Sequence, residues 1–226
     1  MPIFKLSSKL EFPPPSLAEP NGLLCVGGDL STERLLLAYS CGIFPWFSDD
    51  EPILWWSSDP RLVLYPKNIK ISKSLKKKIK KQEFTLTLDK AFEDVILACS
   101  SIRTNNSEET WLVNEMIHAY TKLHHEGFAH SVECWQDGML AGGLYGISLG
   151  GCFFGESMFS HVRDASKVAL VKLSNYLMQL GFDLIDCQVT TNHLISMGSV
   201  EISRQQFLRK LKKSLLKPSL TGRWNF

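Results

Sequence analysis

Apolar residues along this chain recur with two different periods, and the changes of period mark its elements. After Ser31, suited to cap a helix, Leu35, Leu36 and Tyr39 fall on one helical face and Gly42 supplies a stop. RLVLYP (61–66) is apolar and extended. Ser72 opens a helix over 70–81 whose apolar stripe is only Leu75 and Ile79, so a narrow side packs and the rest is exposed charge. Phe84–Leu88 alternates as a short strand, and Asp89 caps a helix carrying Phe92, Val95, Ile96 and Cys99 at helical spacing. Residues 101–110 are polar and loop-like. Trp111 opens the next helix, with Val113, Met116, Ile117, Tyr120 and Leu123 inward and Gly127 as its stop. Ala129–Gln136 and Met139–Ile147 flank Asp137-Gly138, a two-residue hairpin signal, and Leu149-Gly150-Gly151 turns the chain into Cys152–Phe159. Asp164 caps a long helix with the ridge Leu170, Leu173, Leu177 and Leu180, ended by Gly181. Asp183–Val189 reads as a further strand, and Ser203 caps a last helix.

From residue 84 the order is strand, two helices, three-strand meander, helix, strand. That is an α/β chain of mixed layers with helices on both faces. The first 60 residues differ. Turns at FPPPS, Pro20-Asn21-Gly22, Gly27-Gly28-Asp29, Pro45 and Pro52 surround one helix, with Phe44, Trp46, Phe47, Trp55 and Trp56 crowded around it. Asp59-Pro60 marks a boundary, because the residue before proline is kept out of helical geometry. The expected division is a small N-terminal domain (1–62) and a larger C-terminal domain (63–226).

Composition narrows the class. With 226 residues, 44% of them hydrophobic, the chain can bury a sizeable core. Its six cysteines (25, 41, 99, 134, 152, 187) are scattered without metal-ligand spacing, as expected for reduced thiols in a cytoplasmic protein with no structural metal. No apolar run reaches the roughly 18–20 residues of a membrane span, and MPIFKLSSKLEFPPPS lacks the apolar centre of a signal peptide. No exposed apolar seam is evident, so a monomer is expected. The net charge of +2 hides an asymmetry: residues 1–66 carry eight acids against four Lys or Arg, whereas 67–81 carry eight lysines and no acid. A second basic run, from Arg204 to Arg223, holds Arg204, Arg209, Lys210, Lys212, Lys213, Lys217 and Arg223. Such blocks either face water or bind polyanions, and two of them in a nearly neutral chain favour a phosphate backbone.

The stretch Gly151–Gln188 carries the candidate chemistry. An apolar strand delivers Glu156, an amphipathic helix follows, and a second apolar strand delivers Asp186 and Gln188. Ionisable groups at the ends of buried strands are costly unless something binds there. Asp186 and Gln188, two apart on a strand, are expected to share a face, where they could orient an amine, accept a proton or hold a carbonyl. Each could equally be a hydrogen-bonded strand-end residue.

The runs EPNGLLCVGGDLSTERLLLAYSCGIFPWFS, ILWWSSDPR, HSVECWQDGMLAGGLYGISLGGCFFGESMFS, DASKVAL and LIDCQ closely resemble leucyl/phenylalanyl-tRNA–protein transferases, nearly colinearly over residues 12–210. The resemblance implies a GNAT-like (acetyltransferase-type) C-terminal domain. It also implies transfer of leucine or phenylalanine, less often methionine, from aminoacyl-tRNA to protein N-termini beginning with Arg or Lys, marking them for bacterial N-degron degradation. No cofactor is implied. Residue by residue, it implies catalytic roles for Glu156, Asp186 and Gln188, with Trp46 and Trp111 sandwiching the terminal adenosine. Phe153, Met158, Leu170, Leu173 and Ile185 match the family's side-chain pocket, and Lys73, Lys76, Lys77, Lys78, Lys80 and Lys81 its tRNA-contacting basic patch. Leu173 stands where an aromatic is common and Gln179 where a small serine is often found.

Two other readings stay open. An acyl-CoA N-acetyltransferase would want glycines before the central helix to cradle pyrophosphate, and FSHVRDASK has none. A non-catalytic RNA-binding protein would use the lysine helices and tryptophans but leave Glu156, Asp186 and Gln188 without a purpose.

Overall fold

The computed structural model describes residues 3–105 and 112–225, and Trp111 lies outside them. Among these residues the strands form two sheets. The smaller is built from β1 (Phe4–Leu6), β2 (Leu23–Gly27), β3 (Phe44–Pro45) and β4 (Leu54–Trp56) in the order β1-β2-β4-β3, with α1 (Thr32–Ser40) crossing between β2 and β3. Ser31 caps α1 by accepting from the Arg34 N–H at 3.4 Å. These short strands have too few residues for a visible alternation, so the sequence reads there only as turns and aromatics. Trp55 is fully buried and donates from Nε1 to the Gly27 carbonyl at 2.8 Å, making it a core residue of this unit.

The larger sheet begins with β5 (Arg61–Leu64), which the expected division at residue 62 would cut. Then come α2 (Lys73–Lys80), β6 (Thr85–Leu88), α3 (Phe92–Asn105), α4 (Asn114–His125), β7 (Ala129–Gln136), β8 (Met139–Leu149) and β9 (Cys152–Ser160). α5 (Ala165–Gln179), β10 (Leu184–Asp186), α6 (Asn192–Ser196), β11 (Val200–Ile202) and α7 (Arg204–Ser214) complete it. The strand order is β11-β5-β10-β9-β8-β7-β6. The β7–β8 hairpin turns on Asp137 and Gly138, both at positive φ, as the sequence pair predicts. β10 lies parallel to β9, a right-handed crossover through α5 being the usual way to join such strands.

Hydrophobic side chains on the two faces of this sheet form two cores. One face carries Val95, Tyr120, Tyr145, Ile147 and Phe154 and is continuous with Leu24, Leu35, Tyr39 and Trp55 of the N-terminal unit. The other carries Phe153, Leu170, Leu173, Leu177 and Ile185 under α5. Leu180, expected on the α5 ridge, is 41% exposed, because α5 ends at Gln179.

Two expected caps act differently. Asp89 has φ +53°, and its carboxylate turns to β7, accepting from the Ser131 N–H at 2.9 Å. The carboxylate before α3 is instead Glu133, which accepts from the Ala91 N–H at 3.4 Å. Asp164 precedes α5 at φ +74° without a side-chain cap; it pairs with Lys78 at 3.0 Å and Lys167 at 3.1 Å. The strand expected over Asp183–Val189 shortens to Leu184–Asp186, and Gln188 takes φ +54°. Among the described residues no helix is long and apolar enough to cross a membrane, and all six cysteines are free.

Candidate active site

A cavity of about 320 Å³ opens between β9, β10, α5 and the Pro45–Trp46 turn. Its apolar wall comes from Phe153, Met158, Leu170, Leu173 and Ile185, and its polar side includes Glu156 and Gln188. A single irregularity in β9 arranges this. Opposite Tyr145 and Gly146 stand Ser157 and Gly155, so Glu156 is an extra residue, a β-bulge. Before it, Phe153 faces the cavity while Phe154 packs into the opposite core against Tyr39. After the bulge the alternation is shifted by one, so Met158 joins Phe153 on the cavity side despite its odd spacing. Gly146 permits this crowding, since a Cβ there would stand 2.1 Å from the Phe154 carbonyl oxygen.

The bulge aims Glu156 between two partners. Its Oε2 accepts from the Tyr120 hydroxyl at 2.9 Å, and the Tyr120 and Tyr39 hydroxyls are 2.6 Å apart. Its Oε1 accepts from Gln188 Nε2 at 3.1 Å. Glu156 keeps access through the cavity but is otherwise packed by protein. Desolvation raises its pKa to about 7, although the Tyr120 and Tyr39 hydrogen bonds pull the other way. The two tyrosines are fully buried, and burial together with the Glu156 charge raises both well above the phenol's ordinary value.

Asp186 sits elsewhere than its spacing suggests. The strand ends at Asp186, so the two-residue alternation does not extend to Gln188. Ile185 faces the cavity and Asp186 the opposite side, where it meets Arg61 of β5. Arg61 Nε donates to Oδ1 at 2.8 Å and Nη2 to Oδ2 at 2.6 Å, with both residues fully buried. The guanidinium lies between the rings of Phe44 (4.8 Å) and Phe207 (4.5 Å). Oδ1 also accepts from the Gln188 N–H at 3.0 Å. Asp186 is absent from the cavity wall and holds the backbone of Gln188, which corrects the expectation of a shared face.

Trp46 lines the cavity mouth at 42% exposure, a tilted ring contact of 5.8 Å from Trp56, whose Nε1 donates to the Trp46 carbonyl. Trp111 falls outside the described residues. Lys73, Lys76, Lys77 and Lys80 on α2 and Lys81 at its C-terminal cap are exposed, while Leu75 anchors the helix. Lys78 is half-buried, donating to the Arg163 carbonyl and pairing with Asp164, both at 3.0 Å. In the second basic run, Arg204 is buried and donates to the Pro15 carbonyl at 3.1 Å, a structural role.

Five residues of the site were not singled out for chemistry by the sequence. Tyr39 and Tyr120 read there as apolar-face residues, and only their convergence on Glu156 distinguishes them. Arg61 carried a signal, a lone charge opening the run RLVLYP. Leu144 and His193 complete the cavity wall without a local pattern.

Residues 63–212 match the sequence model described as leucyl/phenylalanyl-tRNA protein transferase, and residues 28–59 match that described as its N-terminal domain. A leucyl/phenylalanyl-tRNA–protein transferase of Desulforapulum autotrophicum is 58% identical over 226 residues, covering 100% of this chain and 99% of the relative. One of Syntrophobacter fumaroxidans is 57% identical over 95% of this chain and 92% of its own length. One of Desulfatibacillum aliphaticivorans is 55% identical over 100% and 97%. Both parts of the chain, and relatives matched end to end, lead to one assignment: this chain belongs to the leucyl/phenylalanyl-tRNA–protein transferase family.

Proposed function

We propose that this chain transfers leucine or phenylalanine, less often methionine, from its charged tRNA to proteins whose N-terminus is Arg or Lys. The observation that carries the reading is the Glu156–Gln188 hydrogen bond at the polar edge of an apolar cavity. The reaction is aminolysis. The acceptor α-amine attacks the ester carbonyl, a C–N bond forms, the C–O bond to the terminal ribose breaks, and that oxygen leaves as a hydroxyl. The ester is already activated, so positioning and modest proton handling suffice.

Because Gln188 donates its amide N–H to Glu156, its carbonyl oxygen is left to accept from the incoming amine. An amide does not hold a proton at neutral pH, whereas a carboxylate poised near 7 does. Glu156 therefore receives the amine's proton, which passes to the ribose oxygen as it leaves. Asp186 acts through Gln188 as a positioning residue. Phe153, Met158, Leu170, Leu173 and Ile185 take the aminoacyl side chain. Trp46, together with Trp111, stacks on the terminal adenine. The exposed lysines of α2 contact acceptor-arm phosphates, which position the tRNA without reading its sequence.

In this reading the larger domain has the acetyltransferase-type layout, supported by the β7–β8–β9 meander and the parallel β10 beyond α5, and the N-terminal unit ends near residue 60. The enzyme works as a cytoplasmic monomer without a cofactor, and its products enter the N-degron pathway. An acyl-CoA donor fits less well. Its pyrophosphate would have to lie at the start of α5, where the Asp164 carboxylate stands. The test is to incubate the pure protein with leucyl-tRNA and a peptide beginning with Arg, and with the same peptide beginning with Ala. Label on the Arg peptide alone supports the reading; no label on it overturns the transferase, and equal labelling removes the N-terminal specificity.

A further inference from the structure

Beyond residue 212, where the match to the family's sequence model ends, the chain returns to the large sheet and seats its last tryptophan behind the cavity. The path is narrow. The Gly222 N–H donates to the Gly127 carbonyl at 3.1 Å, and a Cβ on Gly127 would stand 2.3 Å from the Gly222 nitrogen. Two residues on, the Trp224 N–H donates to Asp89 Oδ2 at 2.7 Å, an oxygen that also contacts His130 Nδ1 at 2.8 Å. The turned-away Asp89 thus serves as the tail's anchor.

The indole is 5% exposed and stacks on the His130 ring at 3.7 Å and 9°. Around it lie Tyr176 (5.5 Å), Phe182 (6.0 Å) and Phe153 (6.0 Å between ring centroids). Phe153 is fully buried, with one side against Trp224 and another lining the cavity. Leu170, Leu173 and Ile185, also on the cavity wall, belong to the same hydrophobic cluster as Trp224. Interiors are close-packed, so a ring can retreat only where the layer behind it yields.

We propose that Trp224 is a specificity-determining residue: by backing Phe153 it fixes the depth of the cavity and hence the size of amino-acid side chain transferred. This rests on the reading that the cavity receives the aminoacyl side chain. Trp224 touches no substrate and acts through Phe153. Replacing it with leucine removes ring volume behind Phe153, so Phe153 withdraws and the cavity deepens toward the larger substrate.

The experiment compares kcat/KM for phenylalanyl- and leucyl-tRNA in Trp224→Leu, Trp224→Phe, Leu170→Ala and the native protein, with thermal melts alongside. The phenylalanine-to-leucine ratio is expected to rise about tenfold in Trp224→Leu, the low end of what one methylene-sized change in a pocket gives. Trp224→Phe, which keeps a ring, should give a smaller rise in the same direction and decides the matter if the leucine variant does not fold. In a Phe153→Leu background the Trp224 effect should vanish, since coupled residues are not additive. An unchanged ratio in both Trp224 variants, with Leu170→Ala shifting it, overturns this proposal and leaves the pocket reading standing. An unchanged ratio in all three overturns both.

Discussion

Asp186 and Arg61 form a bidentate, fully buried ion pair on the side of β10 away from the cavity, and the same Asp186 oxygen that meets Arg61 Nε accepts the Gln188 N–H. The pair fixes where β10 ends and where the Gln188 amide begins. Removing one member leaves an uncompensated charge in the interior. Asp186→Asn and Arg61→Met are each expected to destabilise by about 3–5 kcal/mol, read from urea midpoints, whereas Arg61→Met/Asp186→Leu regains most of that loss. Activity should stay low in the double variant because Gln188 has lost its acceptor. Full activity there would make the pair merely structural.

The Tyr120 hydroxyl stabilises the ionised form of Glu156 against the desolvation that raises its pKa to about 7. In Tyr120→Phe that stabilisation is gone, so the pKa should rise further. The acid limb of kcat/KM is expected to move upward by about half a unit to one unit, matching a hydrogen bond of about 1 kcal/mol. Transfer should fall at pH 7 and recover in more alkaline buffer. A limb that stays in place would mean Glu156 does not govern it.

Stability should show the same group with opposite benefit. The folded pKa of Glu156 lies above that of an unfolded glutamate, so folding favours the protonated form. Below about 4.5 both states are protonated and nothing is lost; between there and about 7 the cost of ionising it in place grows, and above 7 it is complete. Glu156→Gln should therefore stabilise the protein at pH 8 by about 1–3 kcal/mol and leave it nearly unchanged at pH 4. Equal effects at both pH values would contradict this.

On α2 the lysines divide by geometry. Lys76 and Lys77 are exposed, and replacing each with Ala should lower the salt slope of tRNA binding by about one. Lys78 is engaged by Asp164 and the Arg163 carbonyl, so Lys78→Ala should cost a little stability and barely change the slope. A slope equally reduced by all three would show that Lys78 releases its partners for phosphate.

Much of the larger sheet was legible because its elements are long. The Asp137-Gly138 hairpin, the Ser72 and Ser203 caps and the α5 ridge all follow from local periodicity and turn chemistry. The five apolar cavity residues were found together through the family resemblance, and the bulge explains how Phe153 and Met158 share a wall at odd spacing. What stayed hidden depends on contacts between distant segments. The strands of the small sheet are too short to alternate. Asp89 reads as a helix cap because its true partners, Ser131 and Trp224, lie far along the chain. Asp186 and Gln188 read as neighbours on one face because nothing local announces that the strand stops at 186. Tyr39 and Tyr120 carry no motif; an 81-residue gap separates two hydroxyls that meet at 2.6 Å.

The central claim is that Glu156 and Gln188 together handle the attacking amine. The most direct measurement is single-turnover transfer from leucyl-tRNA to an Arg-initiated peptide, at saturating enzyme, in the native protein, Glu156→Gln and Gln188→Ala, with tRNA affinity measured in parallel. Each variant is expected to bind tRNA within about twofold of the native protein yet transfer about 10²-fold more slowly, the scale of losing a positioned proton acceptor. Native transfer rates in both variants would contradict the account.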